Sequence, residues 1–356
     1  MPSGAECAPK KKGSNVNLTP IAGTDLLRST EELVEPALKS WTQMLQGDVW
    51  SWAGYHLGWL DADGLPVRRN RGKGVRPALV LAACRARGQE PSIGVSAAVA
   101  VELVHNFSLL HDDIIDGDEL RRHFPTVWKA FGVHAGVLAG DALLAQAFRV
   151  VADSPNHQDG LEATILAKAV QDLIEGQALD VSFEARSRVS VAEYEAMAAG
   201  KTGSLMGAAC ALGALAGGAD PGTAEHMAAF GRHLGIAFQI IDDILGITGN
   251  TEITGKPVGA DITARKKSLP LLAALNADDP AATELASLWN GPKNLSAGDI
   301  GRAIRLVKEA GGIAVARALA DEHLQQAHSA LDAAEITPPA RTELDLLTRL
   351  LVDRDH

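Results

Sequence analysis

From Asp25 to the C-terminus, apolar residues recur at helical spacing in one segment after another, broken by short polar or glycine stretches. Sustained apolar–polar alternation, the mark of a half-buried strand, is hard to find. Such a chain buries its apolar stripes helix against helix, so the expected fold class is all-α: a single large antiparallel helical bundle. Composition agrees, with abundant alanine and only 4% aromatic residues. Long helices are expected over about 93–116, 134–152, 160–180, 224–246 and 313–334. The breaks Gly64-Leu65-Pro66, Ser154-Pro155-Asn156, Gly217-Gly218 with Pro221, and Gly291-Pro292 are turn chemistry between packed helices.

Residues 1–24 lack this periodicity and carry Pro, Gly, Ser, Asn and the run Lys10-Lys11-Lys12, so they read as a disordered tail. A solubilising leader is its plain role and docking to another protein the alternative. Residues 25–356 then form one all-helical domain. Cys7, Cys84 and Cys210 are an odd set without metal-ligand spacing, which points to neither disulfides nor zinc and suits a reducing cytoplasm. The net charge of −11 argues against nucleic acid as a partner. No transmembrane segment or signal peptide is expected from the runs of apolar residues.

Chemistry concentrates in VELVHNFSLLHDDIIDGDELRRHFPT, which starts at Val101. On a helix, residues four apart lie about 40° apart around the axis, so Asp112 and Asp116 project from one face as a hard-oxygen pair suited to Mg2+. Val101, His105 and Ser108 fall beside them, giving a stripe that runs from apolar to ionic. Alone, DDIID also fits an acidic helix end facing water. A second cluster shifts the balance: in GRHLGIAFQIIDDILGITG, Gln239, Asp242 and Gly246 share a face among Leu234, Phe238, Ile241 and Leu245. Charges in so apolar a setting need partners or metals. Two carboxylate helices confronting each other across a cavity could hold several Mg2+ ions, with diphosphate oxygens completing the shells.

A diphosphate also needs cationic donors. Lys73 and Arg76 stand in RGKGVRP, Arg121 and Arg122 in RRHFPT, Lys201 and Thr202 in GKTGS, and Lys256 and Lys266 in GKPVGADITARKKSLP. Each segment alone is as compatible with a solvated surface. GKTGS lacks the spacing and the preceding strand of a nucleotide-binding phosphate loop.

Together these motifs resemble the trans-prenyl diphosphate synthases of the polyprenyl synthetase family, most of all the short-chain geranylgeranyl type, from about residue 26 to the end. GKGVRP, ELVHNFSLLHDDIIDGDELRRHFPT, LAGDALLAQAF, EGQALDV, GKTGSL, FQIIDDILG, GKPVGAD and KKSLP follow one another in the family's order. The resemblance implies that Asp112, Asp116 and Asp242 hold Mg2+, three ions once substrate is bound, on the allylic diphosphate. Arg121, Lys201, Lys256 and Lys266 assist there. Lys73, Arg76, His105 and Arg122 would grip isopentenyl diphosphate, Thr202 and Gln239 would line the reacting centre, and Gln177 and Asp180 would support it. The implied reaction is Mg-assisted ionisation of the allylic diphosphate, condensation with isopentenyl diphosphate and loss of a proton. A homodimer is implied too.

Within the resemblance, Phe107 five residues before Asp112, the small Ser108 after it and an uninterrupted DDIID imply a C20 product. The helical wheel instead puts Val101 on the aspartate stripe and Phe107 about 140° from Asp112. Farnesyl (C15) or longer products, a noncatalytic subunit and a class I terpene cyclase are the alternatives; Gly246 and Asn250 stand where the cyclase motif needs Ser/Thr and Glu. Three departures from the family pattern stand out. Gly74 replaces a common arginine, with a weaker phosphate grip as the expectation; His123 stands where glycine is commoner; Gly246 replaces the last aspartate of the second acidic motif.

Overall fold

The computed structural model describes residues 23–69, 72–154, 160–186, 188–249, 258–291 and 295–353. In chain order the helices are α1 (Gly23–Thr42), α2 (Gly47–His56), α3 (Val75–Cys84), α4 (Val95–Ile115), α5 (Val127–Phe131), α6 (Val133–Ala152), α7 (Leu161–Ala185) and α8 (Val191–Ala198). A π-helical turn, Ala199–Gly203, leads into α9 (Ser204–Ala216) and α10 (Pro221–Thr248). Then come α11 (Ala260–Thr263), α12 (Leu269–Leu275), α13 (Pro280–Trp289), α14 (Ala297–Glu309), α15 (Gly312–Ala333) and α16 (Pro338–Val352).

The bundle is all-helical apart from one two-residue hairpin, β1 (Leu120–Arg121) and β2 (Phe124–Pro125), among the described residues. Arg122 and His123 form its turn with φ of +52° and +71°, the left-handed pair a tight hairpin requires. Helix starts follow local chemistry. Asp220 caps α10 by accepting from the Thr223 N–H with Pro221 behind it, and Ser190 and Glu193 close a capping box on α8.

All five expected long helices form. α7 runs on past Asp180 to bury Phe183. The tail reading for residues 1–22 lies outside the described residues, while Gly23 and Thr24 already belong to α1. Pro91–Ile115 and Val133–Ala152 are long and apolar enough to cross a membrane by length and composition alone. Their apolar character has another use, since α4 and α6 pack against each other within the main core. Close approach is allowed by Gly136 and Gly140, where an added Cβ would sit 2.7 Å from the Ile114 side chain and 2.4 Å from that of His111.

That core joins α1, α3, α4, α6 and α9. A second unites α8, α10, α12 and α15, and a third lies under α11 to α14. The acidic ends of α4 and α10 rise from these cores beside α7 and the π turn.

Candidate active site

The α4 stripe is as patterned. Val101 is fully buried, Ser108 is nearly so with its hydroxyl donating to the His105 carbonyl (2.8 Å), Asp112 is half-buried and Asp116 lies at the exposed helix end. The Asp116 N–H still donates to the Asp112 carbonyl (2.8 Å), which keeps the two carboxylates one turn apart. Burial pushes the Asp112 carboxyl up to about 6, with Asp116 and Asp180 adding to it against Lys201 and Arg121. Asp116 is raised by the same cause first, then by Asp118 and Asp180. Burial is thus the main cause at both carboxyls, with Lys201 the largest opposing charge. Hard carboxylate oxygens paired one helical turn apart are a donor set that a divalent cation with diphosphate oxygens would complete, although no three such side chains converge as a ready-made metal cluster among the described residues.

Asp113 behaves differently. It is 1% exposed, and its Oδ1 accepts from Arg121 Nη2 (2.6 Å) and Nε (2.8 Å). Arg121 is thereby fixed as a guanidinium beside the aspartate pair.

Small residues draw the opposite wall together. A Cβ on Gly176 of α7 would lie 2.2 Å from the Lys201 backbone nitrogen, so only glycine lets α7 touch the π turn. The contact brings Lys201 Nζ to Asp180 Oδ2 (2.5 Å). Thr202 Oγ1 donates to Gln239 Oε1 (2.8 Å), and Gln239 Nε2 donates to Asp243 Oδ1 (3.1 Å), which orients the Gln239 amide from both ends. Gln177 is buried with neither amide atom hydrogen-bonded within the described residues.

Asp242 is half-buried on α10 and its charge reaches Arg76. Asp243, 1% exposed, is a hub: it accepts from the Tyr194 hydroxyl (2.7 Å), Lys266 Nζ (3.2 Å) and the Leu269 N–H (3.1 Å) besides Gln239. Lys266 thus pairs with a structural carboxylate, which raises its pKa despite burial. Its expected place on the allylic diphosphate is secondary to that pairing. Lys256 lies outside the described residues. At Gly246 an added Cβ would meet the Asp261 carboxylate at 2.5 Å, so a carboxylate from the next segment covers the position where the sequence lacks one.

Lys73, Arg76, His105 and Arg122 do come together, lining a cavity of about 170 Å3 with Glu102, Met206 and Phe238. Gly74 has φ +60°, a left-handed backbone that disfavours the arginine the family often has there. Arg76 Nη1 lies 3.3 Å from His105 Nε2. A guanidinium only donates, so Nε2 is the acceptor and Nδ1 carries the proton. Burial, then Arg76, Arg122, Arg121 and His56, holds the His105 pKa well below its usual range, and the ring is neutral. Arg76 Nε is buried with no partner among the described residues.

Phe107 is buried and turned from this stripe, its ring edge-on to His111 at 4.8 Å, while His111 Nε2 lies 3.2 Å from the Val137 carbonyl of α6. The wheel therefore describes its direction: Phe107 faces α6. Sequence reasoning missed His56 and Tyr194, which stand apart from the charged segments, and Glu102 and Asn106, which lie within VELVHNFSLLHDDIID but off the Asp112 stripe. A polar residue at a helical core position, as Asn106 is, was the signal available.

The polyprenyl synthetase family pattern matches residues 66–307. The chain is 43% identical over 334 residues to a geranylgeranyl diphosphate synthase of Mycobacterium tuberculosis, covering 94% of each. It is 41% identical to a (2E,6E)-farnesyl diphosphate synthase of Mycobacterium bovis, covering 92% of each. Its fold superposes with a TM-score of 0.88 on the crystal structure of a polyprenyl synthetase from Streptomyces coelicolor, at 42% identity over 92% of this chain and 99% of that one. With the two acidic helices, the π turn and the basic pocket arranged as above, the chain belongs to the polyprenyl synthetase family and is a trans-prenyltransferase.

Proposed function

We propose that the enzyme extends an allylic diphosphate with isopentenyl diphosphate to geranylgeranyl diphosphate, C20. The observation that carries this reading is the single stripe of α4, from buried Val101 through His105 and small Ser108 to Asp112 and Asp116. It offers a prenyl chain a wall without a second bulky ring and delivers its diphosphate to the carboxylates. The relatives' names divide between C20 and C15.

Asp112, Asp116 and Asp242 would hold Mg2+, three ions with substrate bound. When bound, the ions draw off the charge that develops on the departing diphosphate. Lys201, set by Asp180, and Arg121, set by Asp113, add fixed positive charge at the same place, joined by Lys256. Thr202 and the doubly anchored Gln239 present oriented dipoles to the allylic cation, and the helical walls exclude water. Lys73, Arg76, Arg122 and the Nδ1–H of neutral His105 hold isopentenyl diphosphate, whose alkene attacks; the proton then lost passes to the departing diphosphate. Exposed Val133, Val137 and Leu138 on α6, with Ile174, Leu179 and Val181 on α7, support a twofold homodimer, which light scattering at micromolar concentration would register. Buried free thiols at Cys84 and Cys210 suit the cytoplasm.

Chromatography of products from isopentenyl diphosphate and each allylic primer is expected to show C20 dominant; dominant C15 overturns the assignment. Ser108→Phe should shift products toward C15, whereas Phe107→Ala, on the His111 face of α4, should leave their length unchanged. Unchanged length in Ser108→Phe would place the pocket floor on another helix, and longer products from Phe107→Ala would return Phe107 to the pocket.

A further inference from the structure

We propose that His56, Asn106 and Glu102 form a positioning relay that sets the cationic walls of the isopentenyl diphosphate pocket. The inference rests on the reading of Lys73, Arg76, His105 and Arg122 given above. The starting point is Asn106, 2% exposed on α4, whose Nδ2 donates to the Glu102 carbonyl (2.8 Å) and to Glu102 Oε1 (3.0 Å). Its Oδ1 is then the acceptor for His56 Nε2 at 3.1 Å, so His56 carries its proton on Nε2 and keeps a lone pair on Nδ1. Each atom in the chain has a determined role. A buried network so fully directed fixes geometry rather than adding net stability.

One end lines the pocket and the other meets an arginine that lines it. Glu102 lines the 170 Å3 cavity with Lys73, Arg76 and Arg122, and its charge acts on Arg76. A carboxylate there offsets clustered cations before substrate arrives, and its bond from Asn106 keeps it directed. At the other end, His56 lines a 30 Å3 gap with Arg121 and Arg122. A neutral ring with an open lone pair suits two guanidinium groups, where an imidazolium would repel them. Neighbouring contacts tie the arginine hairpin to this end of α2: Tyr55 donates to the Pro125 carbonyl (2.9 Å), and the Arg69 guanidinium lies 4.3 Å from the Phe124 ring centre and 5.0 Å from that of Tyr55. His56 thus joins α2, the hairpin bearing Arg121 and Arg122, and the α4 turn bearing Glu102 and His105.

The test is steady-state kinetics with each substrate varied in turn, alongside thermal unfolding. His56→Leu should raise KM for isopentenyl diphosphate roughly 10-fold, as expected for losing one directed hydrogen bond to a charged network, and move kcat and the allylic KM less than about 3-fold. His56→Gln, which keeps an Nε2 donor, should restore most of the loss. Asn106→Leu should match His56→Leu, and the double variant should be no worse than either. A folded His56→Leu with unchanged KM, a parallel rise for both substrates, or no recovery with His56→Gln overturns the relay. Arg76→Ala is the control for the pocket itself. If its KM for isopentenyl diphosphate does not rise, the pocket assignment falls and the relay with it; if it rises and His56→Leu does not follow, the relay alone falls.

Discussion

The two acidic helices carry the same Asp-Asp pair and divide its labour the same way, yet anchor it differently. On α4, Asp112 faces the site while Asp113 is buried against Arg121, with its Oδ2 bonded to nothing in the described residues. On α10, Asp242 faces the site while Asp243 gathers four donors, from Tyr194, Gln239, Lys266 and Leu269. In each pair the first aspartate is half-buried at the candidate site and the second is buried in structural contacts. The difference lies in what each second aspartate secures: Asp113 holds the Arg121 guanidinium, whereas Asp243 pins α8, α10 and α12 together.

That contrast predicts where substitution hurts most. Asp243→Ala leaves the fully buried Tyr194 hydroxyl, a lysine and two further donors without an acceptor, and should cost about 3–5 kcal/mol in denaturant unfolding. Asp113→Ala should cost less stability, because the Arg121 side chain is 28% exposed and can turn to water. Equal losses in the two variants would erase the distinction.

The first aspartates should respond in rate instead. Asp112→Asn or Asp116→Asn should lower turnover at least ~100-fold with the fold intact, since each removes charge where the departing diphosphate is stabilised. Near-normal turnover in both would sink the metal assignment. Proton competition gives a second measure. With Asp112 held up at about 6 by burial first, and by Asp116 and Asp180 after it, Mg-dependent diphosphate binding should weaken as pH falls through that value.

Much of this was legible in the chain. Residues four apart on a periodic helix had to share a face, so Asp112 with Asp116 and His105 with the stripe followed from spacing alone. α9 was harder to read, because Ser204–Leu215 is buried on every side and carries no polar face to mark its period. Asp243 could not be singled out as the structural member of the Asp242-Asp243 pair, since that depends on Tyr194 and Leu269, 49 and 26 residues from Asp243. Phe107 divided two signals: motif position put it in the pocket, and the wheel turned it toward α6, where the Gly140 contact with His111 leaves it. The relay through Asn106 needed three dimensions, because His56 lies 50 residues earlier on another helix.

The smallest expected effect sharpens the comparison at the third acidic position. α4 has Asp116 one turn beyond Asp112, while α10 has Gly246 one turn beyond Asp242, and there the Asp261 carboxylate lies within 2.8 Å of where a Cβ would stand. If α10 borrows this carboxylate to regain the pair that α4 encodes directly, Gly246→Ala should act by displacing Asp261. Binding of Mg2+ with inorganic pyrophosphate, followed by calorimetry, should then weaken by roughly 3- to 10-fold, the scale of one outer charged contact. Asp261→Asn should weaken it by a similar factor. Because both changes remove one contribution, the double variant should bind no worse than either single one. Multiplying losses would mean that Gly246 and Asp261 act separately, and unchanged binding in Asp261→Asn would leave α10 with Asp242 as its one working carboxylate.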